Sequence, residues 1–448
     1  MHLAKLTTAR NKRIILLSLT CFSFLFTTAQ ENSPYSRYGM GDIVPNQNVT
    51  SRGMGGITAG VSDFQSLNLV NPAALANLYS TIFELGGELD FRTLKSNISP
   101  DKYTSINTLI SYLQLGFPIA SKKMKDKGNF LGMSFGLRPV TRINYKIEDN
   151  KRIAGIDSSS TLFEGSGGIN QVNVGIGLKV KRFSVGFNSG YSFGHKDYST
   201  KVSLINDSVL YFRSNTEAQT RFGGLFLNAG MQYEMPTKNG GLLRFGAYGN
   251  LEQKLKAKRD NLAATFSYDG NGSILYVDTV DYKKDQAGDI KIPSAFGVGF
   301  TYTDKNRHLL AGLDVEMSNW QDFTYYGNKD YTQKSWKIKA GAQYYPASAT
   351  TSTSKYWSFV NYRAGIFYGN DYVSLNNAKH PEYGITLGAG LPLTSFQRLR
   401  FGEFVILNTG LELGARGNKK SVSIRENVAR FSIGISMNAR WFQNRKYD

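Results

Sequence analysis

Acidic and basic side chains recur at alternate positions inside otherwise apolar stretches of this chain. Glu84, Glu88 and Asp90 share one parity in the run from Ile82 to Phe91, and Asp314 and Glu316 alternate with Leu313, Val315 and Met317. Period two sends alternate side chains to opposite faces of a strand. Glu84, Glu88, Asp314 and Glu316 are therefore expected to face an enclosed polar interior. Arg244, Lys337, Lys339, Arg363 and Arg430 are candidate cations of the same placement. Such groups either pair across the interior and hold its shape or line a substrate path. A buried charge needs a partner in both cases, and the pattern favours pairing.

Other chemistry is poorly supported. His195, His308 and His380 are far apart and lack ligand spacing, so neither a metal nor a cofactor is expected. No nucleophile-and-base pattern such as Gly-x-Ser-x-Gly occurs, and no enzymatic activity is expected. Gly53-Met54-Gly55-Gly56 loosely matches a dinucleotide fingerprint but lacks the strand before it and the helix after it. The formal charge is +19. Its Lys and Arg are dispersed over turns and loops, which argues against nucleic acid and for an anionic membrane surface, with outer-membrane lipid and lipopolysaccharide as partners.

The elements that position these groups are strands. Val172, Val174, Ile176, Leu178 and Val180 alternate with Asn173, Gly175, Gly177 and Lys179; Lys181-Arg182 turns the chain, and Phe183, Val185 and Phe187 resume the alternation. About ten residues per tilted strand suffice to cross a bilayer's hydrocarbon layer. The same pattern predicts about fourteen strands near 81–93, 105–117, 129–138, 170–180, 183–193, 219–233, 242–253, 292–302, 308–317, 335–345, 359–368, 383–391, 402–414 and 428–442. The fold class is thus all-β, a transmembrane antiparallel barrel. The 28 Phe, 26 Tyr and 46 Gly against 11 Pro suit such strands with aromatic girdles.

Residues 1–29 read as a signal peptide: Lys5, Arg10, Lys12 and Arg13 precede the apolar run Ile14 to Phe26, and Thr27-Thr28-Ala29 offers a cleavage site. Cys21, the only cysteine, lies inside it. Residues 30–80 are Gly-rich and irregular and suit a periplasmic tail or a plug within the lumen; residues 81–448 form the barrel. Alternate connections are short, while 139–169, 194–218, 254–291, 318–334, 369–382 and 415–427 are long. This asymmetry predicts an outer-membrane barrel of a diderm bacterium with both termini in the periplasm. Pro139, after Gly136, Leu137 and Arg138, either ends a strand at the extracellular rim or marks a kink that opens the wall.

Ser51-Arg52-Gly53-Met54-Gly55-Gly56, followed by Asn71-Pro72-Ala73-Ala74-Leu75, resembles the hatch signature of the FadL/TodX long-chain fatty acid transporter family. Ile292-Pro293-Ser294 and Leu313-Asp314-Val315-Glu316 with Trp320 and Phe323 are similar to its later strands. The resemblance implies a fourteen-stranded barrel plugged by an N-terminal hatch that includes Arg52, Gly53, Gly55, Asn71, Pro72 and Ala73. It implies uptake of a hydrophobic small-molecule ligand such as a fatty acid, with lateral release beside a kinked strand. The family also includes non-conducting subunits of secretion machinery, so envelope secretion or assembly proteins are alternative partners. The chain departs from the family in an extra stretch, Glu31 to Val44, and in its basic C-terminal end.

Overall fold

The computed structural model describes residues 33–95, 102–119, 121–154, 158–206, 208–347, 355–374, 380–395, 398–399, 402–417 and 424–439. The signal-peptide segment lies outside them, as do residues 440–448. Fourteen barrel strands follow one another antiparallel. They are β1 (Thr81–Lys95), β2 (Lys102–Pro118), β3 (Asn129–Lys151), β4 (Ser158–Val180), β5 (Phe183–Ile205) and β6 (Arg213–Pro236). Next come β7 (Leu242–Asn250 with Gln253–Tyr268) and β8 (Ile274–Ile292 with Ala295–Thr303). The rest are β9 (Leu309–Ser318), β10 (Ser335–Tyr344), β11 (Asn361–Asn370), β12 (Pro381–Pro392), β13 (Val405–Arg416) and β14 (Arg425–Ala439). β14 pairs with β1, from Ala439↔Thr81 to Arg425↔Lys95, and closes the sheet. Closure leaves the apolar set outside: Val172, Val174, Ile176, Leu178 and Val180 are all exposed. With no water beside them, backbone amides in such a band can be satisfied only by neighbouring strands.

Three of the expected long connections are not loops. Residues 139–169 and 194–218 mostly extend β3, β4, β5 and β6, and residues 269–273 alone join β7 to β8. Alternation of apolar residues ends where the outer face leaves lipid, but the hydrogen-bonded ladder does not. β4 and β5 pair without interruption from Val180↔Phe183 to Ser158↔Ile205. Strands β3 to β8 therefore stand well above the rest of the wall at one end. The opposite end carries tight turns such as Lys181-Arg182, which holds Lys181 at φ 56°.

β7 and β8 break at the same level, at residues 251–252 and at Pro293-Ser294. Proline cannot donate to the ladder. Each break shifts the alternation by one: Phe245 is exposed and Arg244 buried below it, whereas Lys254 and Lys256 are exposed and Leu255 buried above it.

The wall between β2 and β3 is incomplete. Their ladder runs only from Pro118↔Gly132 to Leu113↔Leu137, although both strands continue. Pro139 lies where it stops, and the β3–β4 register shifts between Pro139 and Thr141. Pro139 thus neither ends β3 nor leaves its ladder regular. The freed edge of β3 is taken by the N-terminal segment. Ile43 pairs with Thr141 and Asp42 with Arg142, and the Ser33 N–H donates to the Asn144 carbonyl at 3.2 Å.

Most of residues 33–80 are buried against the wall, while Ile43, Phe64 and Tyr79 are exposed. The 3-10 turn Pro72–Asn77 packs on β3 to β6, where a Cβ on Gly186 would come within 2.3 Å of the Pro72 carbonyl carbon. Gly186→Val should displace this turn at an overpacking cost of about 1–3 kcal/mol. The variant barrel should stay folded by heat-modifiable migration in gels while residues 60–80 become protease-sensitive. Unchanged protease resistance would show that the contact tolerates the added bulk.

Candidate functional site

The N-terminal segment and the wall meet in three layers. The first is aromatic and spans the tall end of the lumen. Tyr35 and Met40 from the segment pack with Trp320, Phe323 and Tyr372 from the connections after β9 and β11, and with Phe222, Leu255 and Ile290 of the wall. The Trp320 and Tyr372 rings are 4.8 Å apart, and the Tyr372 hydroxyl donates to the Gly41 carbonyl at 2.7 Å. The Lys196 ammonium donates to the Gly39 carbonyl at 2.8 Å.

Below it lies a charged layer around a cavity of about 170 Å3. Asp42 accepts from Arg92 at 2.5 Å and from Arg416 at 3.0 Å. Arg92 also reaches Asp90 at 2.9 Å, and Arg430 bridges Asp90 at 3.2 Å and Glu412 at 2.9 Å. Arg52 pairs with Glu88 and donates to the carbonyls of Gln47 at 3.0 Å and Pro45 at 2.7 Å. Lys339 pairs with Glu316, and Lys337 with Glu382 at 2.8 Å. Burial alone would raise the Asp42 carboxyl, but the Arg92 and Arg416 guanidinium groups outweigh it and hold the pKa at about 2.

The third layer is made of backbone contacts and a small core. Asp314 accepts the N–H groups of Thr58 at 2.5 Å and Ala59 at 2.8 Å. Asn71 caps its own turn by accepting the Ala73 N–H at 3.1 Å. Its amide donates to the carbonyls of Ala59 at 2.8 Å and Met231 at 3.3 Å. Pro72 occupies the first position of that turn, and Ala73 is fully buried. Gly53 and Gly55 seat against β10 to β12: the Gly55 N–H donates to the Thr386 hydroxyl at 2.8 Å, and the Gly53 carbonyl accepts from it at 3.1 Å. Gly55 has φ 68°, and a Cβ there would lie 2.6 Å from the Ala340 carbonyl. Leu67, Leu75, Leu78, Ile82, Phe404 and Ile406 close the end with tight turns.

The residues picked from sequence are spread through these layers. Arg52, Glu88 and Glu316 join the charged layer. Glu84 is buried apart from it and accepts the Ser436 hydroxyl at 2.7 Å. Gly136 leaves room for the Gln114 side chain, and Arg138 is buried beside Gln171 at 3.3 Å and the Asn46 carbonyl at 3.4 Å. The sequence reading missed Asp42, Arg92, Arg416 and Glu426. Arg92 has the same parity as Glu84, Glu88 and Asp90, and Glu426 that of Arg430, so the signal was present. Asp42 lies in irregular chain with no periodicity to mark it. Among the described residues no group of three or more His, Cys, Asp or Glu is placed to hold a metal.

Two outcomes follow. The Asp42 pKa lies below the value near 3.9 of an unfolded chain. Its contribution is complete above roughly pH 5 and lost as pH falls through the folded value of about 2. Acidification from pH 5 to pH 2 should therefore loosen residues 33–45, read by proteolysis. Asp42→Asn should already be loose at pH 7 and respond less to acid. Asn71→Ala strands the Ala73 N–H, while the Ala59 carbonyl keeps the Gln232 amide at 2.9 Å; the loss of about 1–3 kcal/mol should raise protease access to residues 60–80, and equal resistance would remove Asn71 as an anchor.

Comparison with known proteins agrees with this architecture. A TodX monoaromatic hydrocarbon channel mutant superposes with a TM-score of 0.55 at 15% identity, over 88% of this chain and 99% of that one. A Pseudomonas aeruginosa FadL homologue gives 0.54 at 14%, over 89% and 99%. The Ralstonia pickettii toluene transporter TbuX gives 0.52 at 14%, over 88% and 99%. At these identities the likeness shows the fold. No curated protein matches the sequence. A family model described as BamG matches residues 11–448, nearly the whole length, and the chain belongs to the BamG family.

Proposed function

We propose that this protein is a plugged, non-conducting barrel of the outer membrane that serves as a fixed platform for an envelope secretion or assembly complex. The tall end faces outward, as longer connections do in such barrels. The observation that carries the reading is the aromatic layer from Tyr35 to Tyr372 across that end. A solute arriving from outside would have to separate this packed core. Beneath it the cavity is lined by Arg52, Arg92, Glu316, Lys339, Arg416 and Arg430 together with apolar groups that include Val44, Trp320 and Phe367. An apolar solute there would lose the roughly 0.8 kcal/mol per methylene of apolar burial wherever it faced the charged groups. Residues 33–80, read as the hatch, are held by ion pairs and backbone hydrogen bonds along the whole lumen.

One observation favours a second reading, uptake of a hydrophobic molecule such as a fatty acid or aromatic hydrocarbon with release through the wall. The β2–β3 ladder stops beside Pro139, and above it the strand pairing on that edge of β3 comes, among the described residues, from the N-terminal segment. Sideways release into the bilayer would keep such a solute out of water. The structural relatives named for hydrocarbons and toluene support the same idea.

Uptake assays separate the two. A deletion strain should take up fatty acids and toluene at the wild-type rate and should show a secretion or assembly defect. Pro139→Val should leave uptake unchanged. Trp320→Ala with Tyr372→Ala should raise permeability above wild type by breaching the aromatic layer. A deletion that abolishes hydrophobic uptake while secretion and assembly stay intact would overturn the platform reading.

A further inference from the structure

We infer that the outer surface of β5, β6 and β7 carries a docking site for the phosphate groups of outer-leaflet lipopolysaccharide. His195, Arg221 and Lys258 occupy one rung across these strands, and Phe193, Gly223 and Lys256 the rung below. Leu255 and Ala257 are buried between Lys254, Lys256 and Lys258, so all three lysines point out of the barrel. Phe193 on the rung of Lys256, and Tyr191, Leu225 and Leu251 below it, are exposed apolar or aromatic residues of the lipid-facing band. The cations therefore begin where the apolar band ends, at the level of lipid headgroups.

Tyr191 marks that level independently. Its hydroxyl lies 2.3 Å from where a Cβ on Gly223 would stand, so the ring leans across β6 with its polar tip toward the cationic rungs. Tyrosine takes this pose where one end is in lipid and the other in the headgroups. Gly223 leaves the space over β6 that the Tyr191 ring fills, with its hydroxyl at the rung of Phe193, Gly223 and Lys256.

The charge balance favours an anion. Asp289 holds Lys254 at 2.9 Å and Lys256 at 3.1 Å, and Asp260 accepts from Arg221 at 3.4 Å. Lys291 and Glu252 pair at 2.8 Å below them. Asp197 lies 3.8 Å from His195 on the rung above, and around the Tyr191 hydroxyl Arg221, Lys254, Lys256 and Lys258 outnumber Asp197, Asp260 and Asp289 by one. The Arg221 and Lys256 side chains remain 74% and 79% exposed. A bridging carboxylate orders the ammonium groups without covering them, and each Lys or Arg near an anionic surface adds favourably to binding. The break at residues 251–252 creates this row: it shifts the alternation by one and turns Lys254, Lys256 and Lys258 outward. The inference rests on the outward orientation of the tall end, and it holds whether or not the barrel conducts.

The test uses the full-length protein in nanodiscs, with lipid A carrying or lacking its phosphates as the probe, read by native mass spectrometry. The wild type should retain the phosphorylated form preferentially, and rising salt should erase the preference. Lys254→Glu, Lys256→Glu and Lys258→Glu combined should reduce retention about tenfold or more, with gel heat-modifiability confirming the fold. The triple Lys→Gln variant, which adds no repulsion, should show a smaller loss in the same direction. Equal retention of both lipid forms, or Lys→Gln and Lys→Glu variants indistinguishable from wild type, would overturn the site. Labelling of Lys256 on intact cells by an impermeant amine reagent checks orientation separately. Modification supports the placement, and absence of modification overturns the orientation on which the site depends.

Discussion

Arg92 and Arg416 point into the barrel from β1 and β13, and Asp42 reaches both from the N-terminal segment. Much else depends on this contact. Glu426 lies 3.7 Å from both guanidinium groups, Asp371 lies 3.3 Å from Arg416, and Asp90 is divided between Arg92 and Arg430, so Asp42 makes the shortest contact to each of the two. Removing one member of a buried pair costs about 3–5 kcal/mol because the other charge stays buried without compensation. The wall therefore gains its full electrostatic balance only with residues 33–45 in place. Arg52 repeats the arrangement lower down: it leaves the segment to meet Glu88 on β1 while holding its own backbone at Pro45 and Gln47. The ion pairs fix where the segment lies more than they add to net stability, since a buried pair often only balances its own desolvation.

The same segment also addresses the weakest point of the sheet. An unpaired strand edge needs another partner for its N–H and C=O groups. β3 loses β2 above Leu137, and Ile43 and Asp42 supply a short antiparallel partner on the exposed edge. The charge contact and the strand contact involve one residue, Asp42. Its side chain is committed to the lumen and its backbone to the wall, so neither can let go alone. On the other side of the slot, Thr108 on β2 accepts from the Arg142 side chain at 3.4 Å. The slot is thus narrowed by a side chain where a ladder is missing.

How much of this was readable beforehand follows from what each feature needs. Strand number and positions need only alternation, and the apolar outer band imposes it; the fourteen strands fall close to where the sequence placed them. The height of β3 to β8 was not readable. Above the rim both faces meet polar surroundings, and residues such as Ser199, Thr200 and Lys201 carry no alternation, although their backbones stay paired with β6. Inward charges at regular parity were visible, and Arg92 could have joined Glu88 and Asp90. Which charge meets which depends on the register across β13, β14 and β1, and a local pattern does not contain it. The aromatic layer was hidden for a related reason. Trp320, Phe323 and Tyr372 lie in connections, and they are brought to Tyr35 only by closure of the barrel.

These dependencies bear on what the molecule can do. A gate requires two arrangements of similar free energy, separated by contacts that can exchange. Here residues 33–80 are tied to β1 through Arg52, to β9 through Asp314, to β12 through Thr386 and to β6 through Asn71. Moving the segment as a body would break all four at once and expose the charged layer. Moving only residues 33–45 would break the Asp42 contacts and the short pairing with β3, while leaving the deeper ties intact. The part of the segment able to move is therefore the part that borders the slot, and the lower lumen stays closed in either position. A barrel built this way keeps its short-turn face and its tall sheet unchanged whatever happens at the slot, and such constancy is what the proposed platform role requires.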